Sequence, residues 1–270
     1  MKYKLVISDF DGTLLRSDDI ISDETKSAIK EFTRLGGIFG ISTGRSFDSI
    51  SKRLSELGLS GRFPVMSCQG ALSHDSESSE LLSDIPMDRE AAVEFLRRAE
   101  DMGLTCQYYS SRGVYVPELN EKNRYYFART RLTPVAVGKV SDCAAVTEDK
   151  IYKTLCFIEP RDRARVLAKM EGIEGTKVFA SHAMLVEAVS IRAGKGNGLI
   201  ATCKAYGVPP EMSVAIGDEL NDIEMIKAAG LGVAMYNAVD EAKKAADFVT
   251  DTNDNDGVAK VLRKIIEGTI

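Results

Sequence analysis

Apolar residues in this chain gather into short unbroken runs, and each run closes on a polar turn. LVI at 5–7 leads into SDFDG, GIFGIS at 37–42 into TGR, PVMSC at 64–68 into QGA, SVAIG at 213–217 into DELND, and LGVAM at 231–235 into YNA. Continuous apolar runs of this length fit strands covered on both faces, as in a parallel sheet. Between the runs the apolar spacing turns helical. SDETKSAIKEFTRLG at 22–36 opens on Ser22 as an N-cap, sets Ala28, Ile29, Phe32 and Leu35 on one face, and stops at Gly36. SFDSISKRLSELG at 46–58, GNGLIATCKAYG at 196–207, LNDIEMIKAAG at 220–230 and VAKVLRKIIEG at 258–268 repeat that spacing. Strand alternating with helix predicts a doubly wound, Rossmann-like α/β core around a parallel sheet. Ligands of such sheets gather beyond the carboxyl ends of the strands.

The middle of the chain reads differently. Helix-like REAAVEFLRRAEDMG at 89–103 and NEKNRYYFART at 120–130 mix with strand-like TCQYYS at 105–110, VYVP at 114–117, YKTLCFI at 152–158, KVFAS at 177–181 and MLVEAVS at 184–190. This pattern predicts a smaller α+β domain over residues 84–189, inserted between the core halves 1–83 and 190–270.

Composition narrows the function. The 270 residues carry a formal charge of −5, with 44% hydrophobic and 28% charged residues, the profile of a globular protein. An acidic chain without a Lys/Arg run is a poor nucleic-acid or membrane-surface binder, so positive charge for an anionic substrate has to be local. No stretch reaches the length of a membrane span. The five cysteines, Cys68, Cys106, Cys143, Cys156 and Cys203, form no CxxC pair and read as reduced thiols. With no leader-like N-terminus, the expectation is a cytoplasmic protein, a monomer or a small homo-oligomer.

Four polar clusters fall at predicted strand ends or helix starts. Asp9 and Asp11 in DFDGT lie two apart, on one side of an extended backbone, and could offer hard oxygens to Mg²⁺. Asp218 and Asp222 in GDELND share a face if a helix starts there. Thr43 and Gly44 in STGR supply a hydroxyl and turn N–H groups suited to phosphoryl oxygens. Lys195, between Gly194 and Gly196, can approach an anion closely. Singly, each has an ordinary structural explanation: an Asp-Gly turn, an acidic helix start, a capping turn, a loop lysine. Their order, location and residue types agree only on a common site.

In DFDGTLL at 9–15, STGR at 42–45, GKG at 194–196 and GDELND at 217–222 the chain resembles the haloacid dehalogenase superfamily of aspartate-nucleophile phosphotransferases. The inserted domain, with AVSIRAGKGNGL at 188–199, GVAMYNA at 232–238 and AADFVTDTNDNDGVA at 245–259, resembles the Cof-type subfamily with its large α/β cap. The resemblance implies a Mg²⁺-dependent phosphatase acting on a small-molecule phosphate ester, a sugar phosphate first. It makes Asp9 the nucleophile and Asp11 the acid and base. Metal would bind Asp9, the backbone carbonyl of Asp11 and Asp218, with Asp222 nearby, holding the metal's waters or orienting Lys195. Thr43, Lys195, Asn221 and the backbone of Phe10 and Gly44 would hold the phosphoryl group. Arg45 reads either as a substrate contact or, preferred, as an anchor of its loop. The subfamily usually has Asn where this chain has Gln69, Gly at Tyr236, and often Asn or Gln at Glu219. A sugar phosphomutase of the same fold, or a non-enzymatic phospho-Asp signalling or binding module, are the competing readings.

Overall fold

The computed structural model describes residues 1–56, 62–76 and 81–270. In chain order these form β1 (Leu5–Asp9), α1 (Asp23–Arg34), β2 (Ile38–Ser42), α2 (Phe47–Glu56), β3 (Pro64–Ser67), β4 (Leu72–Asp75), β5 (Leu81–Asp84), α3 (Arg89–Asp101), β6 (Cys106–Ser110), β7 (Gly113–Val116), α4 (Glu121–Thr130), β8 (Val135–Ala136), α5 (Val140–Val146), β9 (Ile151–Phe157), α6 (Arg163–Met170), β10 (Thr176–His182), β11 (Leu185–Ser190), α7 (Lys195–Ala205), β12 (Ser213–Gly217), α8 (Ile223–Ala228), β13 (Leu231–Ala234), α9 (Asp240–Ala245), β14 (Phe248–Val249) and α10 (Gly257–Glu267). The chain divides into two compact units, one of Met1–Phe47, Arg53–Ser83 and Gly194–Ile270, the other of Asp48–Lys52 and Asp84–Ala193. Residues 190–193 therefore group with the second unit, where the Ile191 N–H donates to the Gly175 carbonyl (2.8 Å).

The first unit carries an eight-stranded sheet in the order β14-β13-β12-β1-β2-β3-β4-β5. From β14 to β3 the strands pair in parallel, and β4 returns antiparallel on β3. After β1 the chain moves outward through β2 and β3 on one side; β12 later docks on the other side and continues to β13 and β14. The order thus reverses at β1, the topological switch point where α/β sheets open a crevice. Leu5, Ile7, Met66, Leu199, Cys203, Ala215 and Met225 form a buried cluster of this unit. The Ser22 hydroxyl caps α1 by accepting the Thr25 N–H (3.0 Å), and Ala28, Ile29 and Phe32 are buried as the spacing predicts. Leu35 is not: the helix ends at Arg34 and leaves that side chain exposed.

The second unit holds a six-stranded sheet in the order β10-β11-β9-β6-β7-β8, antiparallel except for the β7–β8 pair. Phe95 and Leu96 of α3 pack in a core with Tyr108, Cys156, Val186 and Ala188 of its strands. This is the doubly wound core plus smaller α+β insertion that the hydrophobic pattern predicts. Part of the predicted helix 46–58, residues 57–58, lies outside the described residues. The helix expected at 220–230 begins as a 3₁₀ turn over Leu220–Asp222. The hydrophobic pattern does not predict α5, α6, α9, β4, β5, β8 or β14. They are short, and two to eight residues are too few to display a period. No helix among the described residues is long and apolar enough to cross a membrane.

Candidate active site

β1 and β12 are buried along their whole length and run parallel, so their carboxyl ends share one rim of the sheet. Asp9 ends β1, Thr43 follows β2 and Asp218 follows β12, three neighbouring parallel strands. Lys195 opens α7 and is itself buried. Its Nζ donates to Asp9 Oδ1 and to Asp222 Oδ1, each at 2.5 Å. Asp222 Oδ2 accepts the backbone N–H groups of Asp218 (3.0 Å) and Glu219 (2.9 Å), so both of its oxygens are engaged within the protein. Thr13 donates its hydroxyl to Asp218 Oδ1 (2.5 Å).

Asp9, Asp218 and Asp222 each present a carboxylate oxygen within 4.8 Å of the others, and all three are buried. Three carboxylates face one ammonium there, so the cluster is short of positive charge. Burial pushes the Asp9 carboxyl well above the usual range; Lys195 pulls it down, and Asp222 and Asp218 push it further up. Burial, followed by the Asp222 charge, pushes Asp218 up to about 7. Burial opposes the Lys195 ammonium, but the fields of Asp222 and Asp9 outweigh it and hold that lysine charged. A hard divalent cation bound by oxygens is what such a donor set lacks. Asp9 and Asp218 have the chemistry to ligate it. Asp222 is committed to Lys195 and two backbone amides.

Asp11 stands apart from this cluster. Its half-exposed carboxylate takes a two-pronged contact from Arg45, Nε to Oδ2 at 2.9 Å and Nη2 to Oδ1 at 2.7 Å. The guanidinium also lies over the Phe10 ring, 5.4 Å from its centroid. The side chains of Asp9 and Asp11 thus meet different protein cations, Lys195 and Arg45. Thr43 is buried, and its hydroxyl accepts the Arg45 N–H (3.1 Å), leaving the hydroxyl proton to donate. Asn221 donates to the side-chain carbonyl of Gln69 (2.8 Å). Two contacts here are not among the expected site contacts, Thr13 on Asp218 and Gln69 on Asn221. Thr13 sits inside the DFDGT motif, a usable signal; Gln69 reaches Asn221 across 152 positions, which no local pattern reports.

Packing around Asp222 sets a local requirement. A Cβ at Gly217 would lie 2.4 Å from Asp222 Cβ. Gly217→Ala is expected to cost about 1–3 kcal/mol, the usual penalty of overpacking, in urea unfolding. Unchanged stability would mean that the contact relaxes freely.

Comparison with known proteins extends the geometry. The model of the haloacid dehalogenase-like hydrolases matches residues 6–262. The chain is 29% identical to 5-amino-6-(5-phospho-D-ribitylamino)uracil phosphatase YwtE of Bacillus subtilis, over 98% of this chain and 99% of that one. It is 30% identical to a second B. subtilis protein of the same activity, YcsE, over 96% and 94%. The crystal structure of a haloacid dehalogenase-like hydrolase from Bacteroides thetaiotaomicron superposes with a TM-score of 0.86 at 27% identity, covering 97% of this chain and 99% of that one. A buried lysine joining two aspartates at a sheet switch point, a family match over nearly the whole chain and relatives named as phosphatases converge: this protein is a Cof-type member of the haloacid dehalogenase-like hydrolases and an enzyme of the phosphatase class.

Proposed function

We propose that the enzyme is a Mg²⁺-dependent phosphomonoester hydrolase that works through an aspartyl phosphate on Asp9. The observation that carries this reading is the Lys195 ammonium, buried and shared at 2.5 Å between Asp9 and Asp222. A carboxylate attacks a phosphate ester only if the negative charge of both partners is neutralised. Lys195 supplies one charge, and a Mg²⁺ held by Asp9, the backbone carbonyl of Asp11 and Asp218 would supply two more. Asp222 then serves to orient Lys195.

In the first half-reaction an Asp9 oxygen bonds to phosphorus as the ester oxygen departs, taking a proton from Asp11. In the second, Asp11 withdraws a proton from water, the water oxygen bonds to phosphorus, and Asp9 leaves as a carboxylate with inorganic phosphate. Both oxygens of Asp11 accept from Arg45 at rest, so that pair has to open before Asp11 carries a proton. The Thr43 hydroxyl, Asn221, Lys195 and the Phe10 and Gly44 backbone hold the phosphoryl oxygens. In the resting enzyme the Arg45 guanidinium meets Asp11 and the Phe10 ring.

The substrates we propose are small cytosolic phosphate esters, sugar phosphates first. Support comes from the relatives named for a phosphorylated ribityl compound, in which the phosphate sits on a sugar-alcohol arm. The test is phosphate release from a panel of phosphorylated sugars, nucleotides and cofactors. EDTA is expected to silence the reaction and Mg²⁺ to restore it. Activity indifferent to chelation would remove the metal from the proposal. Transfer of phosphate to a second sugar without free phosphate would favour the mutase reading.

A further inference from the structure

The turn after β3 holds three successive residues in the left-handed region: Cys68 (φ 48°), Gln69 (φ 60°) and Gly70 (φ 79°). Two of them carry side chains, and both are buried. Left-handed backbone suits glycine and, less well, asparagine; glutamine has no such preference. The backbone therefore gives no reason for Gln69, and the strained turn persists because neighbours over-determine it. The Cys68 N–H donates to the Arg45 carbonyl (2.8 Å) and the Gln69 N–H to the Thr43 carbonyl (3.1 Å). A Cβ on Gly70 would lie 2.4 Å from the Gly194 carbonyl oxygen, next to Lys195. The turn is thus wedged between the loop after β2 and the start of α7.

From this wedge the Gln69 side chain does two things. Its carbonyl oxygen accepts the Asn221 amide at 2.8 Å, and its Nε2 lies over Gly44, where a Cβ would come within 2.5 Å. One amide so touches the loops that carry Thr43 and Gly44 on one side and Asn221 on the other. A hydrogen bond to one Asn221 N–H fixes the rotation of that amide and hence the direction of its remaining polar groups.

We propose that Gln69 is a positioning residue: its side chain sets the Asn221 amide and the Gly44 loop in the arrangement that receives the phosphoryl group. This rests on the phosphatase reading above. Its reach is part of the proposal, because asparagine is one methylene shorter.

The test is a double-variant cycle with p-nitrophenyl phosphate as substrate, Mg²⁺ present, and inorganic phosphate as inhibitor. Gln69→Met keeps the shape and removes both hydrogen-bonding groups. It is expected to lower kcat/KM about tenfold and to raise the inhibition constant of phosphate by a similar factor. Gln69→Asn, which suits the left-handed turn, is expected to behave alike and carries the test should Gln69→Met fail to fold. In an Asn221→Ala background, Gln69→Met should cost clearly less than about tenfold, since one of the two groups it positions is gone and only the Gly44 contact remains to lose. Wild-type kinetics in both Gln69 variants, or the same penalty in both backgrounds, overturns the inference. A purely structural role would lower the melting temperature and give equal penalties. A wild-type enzyme that releases no phosphate from any ester overturns the phosphatase reading too, whereas an active wild type with an additive cycle overturns this inference alone.

Discussion

Asp9→Asn is expected to lower phosphate release at least ~10⁴-fold while the protein melts at or above the wild-type temperature in EDTA. The loss of rate follows from removing the atom proposed to bond to phosphorus, since deleting a nucleophile forfeits the whole covalent route. The gain in stability follows from the site's electrostatics. Burial raises the Asp9 carboxyl above its ordinary value of 3.8, with Asp222 and Asp218 adding to the effect. The fold therefore favours the protonated acid, and ionising it works against folding. Below the unfolded-state value the wild type has its full stability relative to Asp9→Asn. As pH climbs from there through the raised folded value, the wild type loses stability and the amide variant does not. The difference in melting temperature should be negligible near pH 3.5 and open steadily toward neutrality. Melting curves across that range check the sign. A variant with wild-type turnover would remove the mechanism, and one uniformly less stable would contradict the electrostatic account.

Lys195→Met should be the most damaging of the substitutions for stability and also severe for activity. The ammonium is buried and holds Asp9 and Asp222 at 2.5 Å each. Methionine has nearly the same length and fills the space, but it leaves two buried carboxylates facing each other. Breaking a buried pair from one side costs about 3–5 kcal/mol. Loss of a preorganised charge on the transferring group costs a further ~10²–10³ in kcat. Urea unfolding and steady-state rates measure the two separately. Adding Asp222→Asn to Lys195→Met should recover part of the stability and none of the rate, because it removes one stranded charge without restoring the cation. Recovery of the rate would show that Lys195 acts only as a structural counter-ion.

How much of this could be read from residue order alone divides along a physical line. Uninterrupted apolar runs such as LVI and SVAIG report burial directly, because a strand covered on both faces has no polar side to hide. The strand-helix alternation, the insertion and the motif-bearing loops DFDGT, STGR, GKG and GDELND follow from that local signal. Pairing between side chains does not. Asp9 and Asp11 are two residues apart and look equivalent in the sequence, yet one is buried against Lys195, 186 positions away, and the other is held at the surface by Arg45. For Asp222 the sequence leaves two partners open, a metal's waters or Lys195, and the fold brings it against that lysine and two backbone amides. Gln69 stands out in the sequence only as a departure from the subfamily's usual Asn, and its contact with Asn221 is not written there. Periodicity and turn chemistry are written within a dozen residues, so order along the chain reveals them. The choice of which cation balances which acid depends on distances that exist only after β1, β2 and β12 lie side by side.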